Sequence, residues 1–209
     1  MKYCIAFLSK RQVLATFLLT GFLLTIPQVG WTQKNELAFS IGKVTALERQ
    51  PIKLGADTAL QINYGRRLFE FNNVAIYGQV HFLASPNREV TAGPQIATRD
   101  VASLYLTPGL RFKFLPKAKL SPFVAIGGGL ALYEQSTKLR NNQANPVSRE
   151  LTRGAFNFGG GADLRIWRSL SLRGEFRDFI TGSPNYNLPS IRGAQHNPVI
   201  SGGIVLQWH

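Results

Sequence analysis

Cysteine occurs once, at position 4, and methionine once, at position 1. Cys4 lies in an N-terminal leader, so the chain beyond that leader carries no thiol. This excludes a disulfide-stapled domain, a cysteine nucleophile and a thiolate metal site. Histidine is limited to His81, His196 and His209, without the clustering a zinc site needs. Acidic residues are also scarce, 11 against 24 Lys and Arg. No window shows a convincing apolar repeat at helical spacing, and a mean hydropathy of -0.03 argues against a bundle of transmembrane helices.

What is present begins with the leader. Lys2, Lys10 and Arg11 precede the apolar run Val13 to Ile26, and Gly30-Trp31-Thr32 supplies small residues at the two positions a signal peptidase reads. This predicts a signal peptide over residues 1–32, cleaved after Thr32. An uncleaved membrane helix is the alternative, but spanning takes about 20 apolar residues and this run is shorter. Cleavage removes Lys2, Lys10 and Arg11 and no acid, lowering the formal charge from +13 to +10.

The exported chain, residues 33–209, reads as one all-β domain. Period-2 alternation recurs throughout and predicts eight strands: 36–44, 58–68, 74–84, 101–115, 120–134, 154–167, 170–181 and 199–208. Their connections alternate in length. Long polar stretches (45–57, 85–100, 135–153, 182–198) follow the odd strands and short ones (69–73, 116–119, 168–169) follow the even strands. An antiparallel up-and-down barrel has this layout. Pro108 fits poorly in a central strand, and predicts a bulge or an early end to pairing.

Residue size decides which solvent each face sees. One face is built of Leu, Ile, Val, Phe and Trp, while the other mixes Gly, Ala, Ser and Asn with long Arg and Glu. An eight-stranded lumen is just wide enough for side chains to fill, so eight strands of bulky inward residues would overfill it. The apolar face therefore belongs outside, in lipid. Most segments also reach the 9 to 11 residues or so that a spanning strand needs. Charges must then point inward, since Arg173 on the lipid face would cost about 2 to 4 kcal/mol near the midplane.

Inward charges need partners. Arg111, Lys113, Asp163, Arg165, Arg173, Glu175 and Arg177 are the expected lumen network, with Asp163–Arg173 or Arg165–Glu175 contacts depending on register. Such a network plugs a small barrel. The alternative is the lining of a narrow, porin-like channel.

Four stretches carry a resemblance: "LTPGLRFKF" (106–114), "PFVAIGGGLAL" (122–132), "FNFGGGADLRIWRSLSLRGEFRDF" (156–179) and the closing "GGIVLQWH". Together they resemble the small outer-membrane β-barrel proteins of the OmpA/OmpX-like class of Gram-negative-type bacteria. The resemblance implies an outer-membrane location, Sec export, a structural or surface-binding role, and handling by periplasmic chaperones and the barrel-assembly machinery. It also implies an assembly signal read from Ile204, Leu206 and Trp208, to which His209 adds one residue. No peptidoglycan-binding domain follows, so attachment to the cell wall is not implied.

The class includes lipid A deacylases and palmitoyl transferases, so a lipid A-modifying enzyme is a third reading. A deacylase needs a Ser activated by a His that an acid orients. His81 with Ser85 is the least poor candidate, while "GAQHNP" around His196 reads as loop. The "GGG" runs at 127–129 and 159–161 lack the helix and the Lys-Ser/Thr pair of a phosphate loop. No catalytic residue, cofactor or metal is expected. The basic residues are dispersed and the chain is exported, so no nucleic-acid partner is expected either. Lys138, Arg140, Arg149 and Arg153 are candidate contacts to lipid phosphates at the outer surface, of lipopolysaccharide in particular, against the simpler reading of a solvated basic loop. The long loops are the expected surface for an unidentified ligand, on a monomeric barrel.

Overall fold

A strand with one bulky apolar face and one small or polar face is stable only where the two faces meet different surroundings. Closing such strands into a ring separates the two and removes the unpaired edges. The computed structural model describes residues 35–45, 53–91, 97–182, 186 and 193–208. All of them belong to the compact unit Gln33–His209. The leader with Cys4, its cleavage site and His209 lie outside the described residues.

The described strands are β1 (Asn35–Val44), β2 (Lys53–Leu54), β3 (Asp57–Phe71), β4 (Val74–Thr91), β5 (Asp100–Phe114), β6 (Leu120–Gln135), β7 (Glu150–Arg165), β8 (Leu170–Gly182) and β9 (Ala194–Trp208). Eight of them, all but β2, form one antiparallel ring in the order β1-β3-β4-β5-β6-β7-β8-β9, closed by β9 against β1. At the seam Asn35 is opposite Trp208 and Val44 is opposite Val199. The short β2 pairs with the far end of β4, Lys53 to Thr91.

The eight expected strands are all present, and several run further into the long connections. β4 continues to Thr91, β7 starts at Glu150, and β9 starts at Ala194. His196 is therefore a strand residue opposite Ile180, which corrects its placement in a loop. The turn after β3 is tighter than 69–73. It is made by Asn72-Asn73, with Asn72 at φ 34°, a left-handed conformation that Asn accepts more readily than most residues.

Pro108 is accommodated without a bulge. Its pairing with β4 is continuous, Val80 opposite Pro108, while the β5–β6 ladder lapses over Thr107 and Pro108 and resumes in the same register at Gly109 and Gly127. The bulges lie elsewhere, between Arg67 and Phe69 on β3 and between Ser85 and Arg88 on β4.

The alternation sorts the faces as expected. Phe39, Ile41, Ile62, Phe82, Leu106, Ile126, Phe156, Leu172, Ile200 and Ile204 point outward, with Ile200 67% exposed. Such an apolar surface around the whole ring is far larger than a water-soluble monomer exposes. Inside, small residues make room for large ones. A Cβ on Gly65 would come within 3.0 Å of Arg111 Nη2, and one on Gly127 within 2.9 Å of the Asn157 amide.

Candidate functional site

The lumen is filled in three tiers. The tier nearest the short turns is ionic and is centred on Glu36, which the alternation of β1 turns inward with Ala38. Its carboxylate accepts from Arg111 Nη2, from Lys113 Nζ at 3.1 Å and from Gln207 Nε2 at 3.0 Å, with Arg173 Nη2 at 3.6 Å. Asp163 and Arg173 are directly opposite on β7 and β8. They form a two-pronged pair, Nε to Oδ1 at 2.7 Å and Nη2 to Oδ2 at 2.9 Å, and Lys113 Nζ adds a contact at 2.8 Å. Glu36, on β1, thereby ties Arg111 and Lys113 of β5 to Arg173 of β8, across the barrel from wall to wall.

Aromatic faces cover the guanidinium groups. Arg111 lies 4.7 Å from the Tyr77 ring centre and Arg173 lies 4.8 Å from that of Phe123. Such cation–π contacts strengthen where water is excluded. Glu175 accepts from Arg177 Nε at 2.8 Å, and Arg177 Nη1 donates to Asn157 Oδ1 at 2.9 Å.

Six of the seven residues expected in the lumen are buried there, all but Arg165. Arg165 turns back at the end of β7 and donates to the carbonyls of Pro116 and Lys117 in the neighbouring turn. It clamps two turns together, and there is no Arg165–Glu175 contact. Glu36 is the member that the sequence reading passed over. The signal was available, because the alternation that turns Arg173 inward applies equally to Glu36.

The middle tier is polar and uncharged. Asn63 donates to Gln79 Oε1 at 3.1 Å and is 3.0 Å from His81 Nδ1, and the His81 ring lies 5.6 Å from Phe179. Gln61, the amide nitrogen of Gln79, His81 Nε2 and the Asn157 amide nitrogen have no protein partner among the described residues. His81 is not brought to Ser85. Both point inward, but four extended residues place them about 13 Å apart along the strand, and Ser85 donates to Asp57 Oδ2 at 3.0 Å.

The third tier closes the end with the long connections. Tyr105, Tyr133, Phe179 and Tyr186 pack with Val44, Leu83, Val90, Val101 and Val199 into the apolar core of the barrel. Burial pushes the Tyr186 hydroxyl well above the usual phenol range, so it stays protonated and donates to Gln195 Oε1 at 2.8 Å. Arg88, fully buried, donates to Asn197 Oδ1 at 2.7 Å.

The four basic residues expected to meet lipid phosphates have different surroundings. Lys138 is exposed. Arg140 donates to the Val90 carbonyl and to Thr91 Oγ1, tying the third long connection to β4. Arg149 pairs with Glu134, and Arg153 is half-buried opposite Ala131. On the outer wall, Ile204, Leu206 and Trp208 all face outward, with the Trp208 ring 6.5 Å from that of Tyr64.

One ionisable pair also stands on the outer wall. His196 Nδ1 is 2.6 Å from Asp178 Oδ2, and Asp178 Oδ1 accepts the Asn197 backbone N–H at 3.1 Å.

Solved structures share this architecture. Neisserial surface protein A aligns with a TM-score of 0.53 at 10% identity, covering 84% of this chain and 97% of that one. The chain has the fold of the small outer-membrane β-barrels. Ail of Yersinia pestis (TM-score 0.48, 12% identity, 85% and 99% coverage) and the N-terminal barrel of OprF from Pseudomonas aeruginosa (0.48, 12%, 85% and 98%) align over similar spans. No family model matches the sequence, and no curated protein matches it. In a barrel of this fold the outward apolar set is the lipid-facing belt, and the ionic tier is enclosed inside the wall. There each unpaired charge carries a cost.

Proposed function

We propose that the protein is an integral outer-membrane barrel with a structural or surface-interaction role, its lumen plugged by the charged network and its long connections serving as the contact surface. In this reading the short turns and the mature N-terminus face the periplasm, and the long loops face outward. Ile204, Leu206 and Trp208 serve as the assembly signal for the barrel-assembly machinery and chaperones. The barrel is a monomer that meets lipopolysaccharide at its outer rim and a ligand of unknown identity through its loops. The observation that carries the plug is the Glu36-centred tier. Three cations and two carboxylates, from β1, β5, β7 and β8, bridge one another across the lumen with every carboxylate doubly or more engaged and one positive charge in excess.

A narrow channel is the second reading, favoured by the unpartnered polar atoms of Gln61, Gln79, His81 and Asn157 in the middle tier. Planar-bilayer recording separates the two. The plugged barrel gives no stepwise conductance as wild type, while the double variant Glu36→Ala/Asp163→Ala, if it folds, conducts. Stepwise openings in the wild type would sink the plug. A lipid A-modifying activity finds no support in the placement of His81 and Ser85. An unchanged lipid A mass spectrum on expression is the expected result.

A further inference from the structure

The Asp178–His196 pair is a charged feature of the described outer wall that is set among belt residues and that the lumen does not explain; Lys43, directly opposite Ile200, is another outward charge near it. Its outward neighbours are Phe158, directly opposite Asp178, together with Phe176, Ile180, Pro198 and Ile200. Asp178 lies eight residues from the start of β8 beside a short turn. At about 3.3 Å per residue and a tilt near 40°, that is about 20 Å up the barrel, in the outer-leaflet half of the membrane. An ionisable group at such a depth is a functional candidate by default.

Part of the pair has a local explanation. The Asp178 carboxylate accepts the backbone N–H of Asn197, the residue before Pro198. His196 is not accounted for in that way. Its Nδ1 is committed to Asp178, its Nε2 has no partner among the described residues, and its side chain is 41% exposed.

A groove of about 460 Å³ opens next to it. The lining includes Gly154, Phe156, Ile180, Gly182 and Ala194. Ile180 stands directly opposite His196, and Ala194 directly opposite Gly182. Gly154 leaves the hollow open, because a Cβ there would meet nothing within 4 Å, whereas one on Gly182 would stand 3.2 Å from Arg153 Cδ. A hollow in the apolar belt at this height faces acyl chains, and a fixed polar group at its side faces the level where chains join a headgroup.

We propose that this groove and His196 form a site for one lipopolysaccharide molecule of the outer leaflet, an acyl chain lying along Gly154 and Ile180 and a phosphate accepting from His196. In the proposed complex His196 spends its Nδ1–H on Asp178 and, as the imidazolium paired with phosphate, offers Nε2–H to the phosphate oxygen, a charge-assisted bond of the stronger class. The assignment rests on the outer-membrane orientation proposed above, but not on whether the lumen conducts.

The test is native mass spectrometry of the full barrel released from phosphatidylethanolamine nanodiscs containing a minor fraction of rough lipopolysaccharide. Four proteins are compared: wild type, Gly154→Leu, His196→Ala and Gly174→Leu. Gly174 is also an outward glycine with open space around its Cβ, but near the short-turn end of β8, so it controls for an added side chain on the wall. The wild type and Gly174→Leu should retain one lipopolysaccharide, and the other two should lose it by about tenfold or more. Equal retention in all four, loss in Gly174→Leu as large as in Gly154→Leu, or preferential retention of phosphatidylethanolamine would overturn the site. Loss in Gly154→Leu alone overturns the role of His196. Failure of the membrane reading itself is distinguished by fractionation, which would then recover the protein from the soluble periplasm.

Discussion

At the scale of single residues, burial separates charges that look alike in the sequence. Arg165 and Arg173 occupy equivalent positions of the alternation, yet one serves a turn and the other the interior. Glu36 is engaged by Arg111, Lys113 and Arg173 together. Its removal strands buried cations, and breaking a buried pair from one side costs about 3 to 5 kcal/mol. We expect Glu36→Ala to destabilise the barrel by that amount in urea titrations in detergent micelles. Arg165→Ala, which loses only hydrogen bonds to two turn carbonyls, should cost about 0.5 to 1.5 kcal/mol. Equal losses would mean that the Glu36 tier is not the ionic centre of the lumen.

At the scale of elements, the glycines decide how closely strands approach. A Cβ on Gly109 would stand 2.0 Å from the Ile126 carbonyl oxygen of β6, while one on Gly174 has open space. Overpacking of this kind costs about 1 to 3 kcal/mol. Gly109→Ala should therefore lower the urea midpoint and Gly174→Ala should leave it unchanged or raise it slightly. Gly109 follows Pro108, where the ladder to β6 lapses, so the close approach is concentrated beside the weakest pairing of β5. The place of the short turns in the chain was legible in the sequence, although the turn after β3 is tighter than its composition suggests. The far ends of β4, β7 and β9 were not, because polar residues such as Arg88 and Gln195 satisfy strand alternation only once an enclosed upper tier exists to receive them.

At the scale of the molecule, a closed ring with internal ion pairs and an external apolar belt has no edge from which detergent can unzip it. Folded protein should migrate faster than boiled protein on a gel, and only boiling should convert one band into the other. Identical migration before and after heating would contradict a closed barrel. The apolar tier of Tyr105, Tyr133, Phe179 and Tyr186 belongs to this scale as well. Its members are contributed by β5, β6, β8 and the connection that follows β8.

The strand count, the alternating connection lengths and the exposure of the apolar face to lipid followed from the sequence by itself. Period-2 patterning, loop length and side-chain volume are local properties, and together they admit few closed arrangements. Partner choice was decided only by the tertiary structure. That Asp163 meets Arg173, that Glu36 reaches Arg111 across the lumen, and that His196 meets Asp178 beside a glycine groove all depend on inter-strand register and barrel closure. These bring together side chains from 10 to 75 positions apart, and no local pattern encodes that distance.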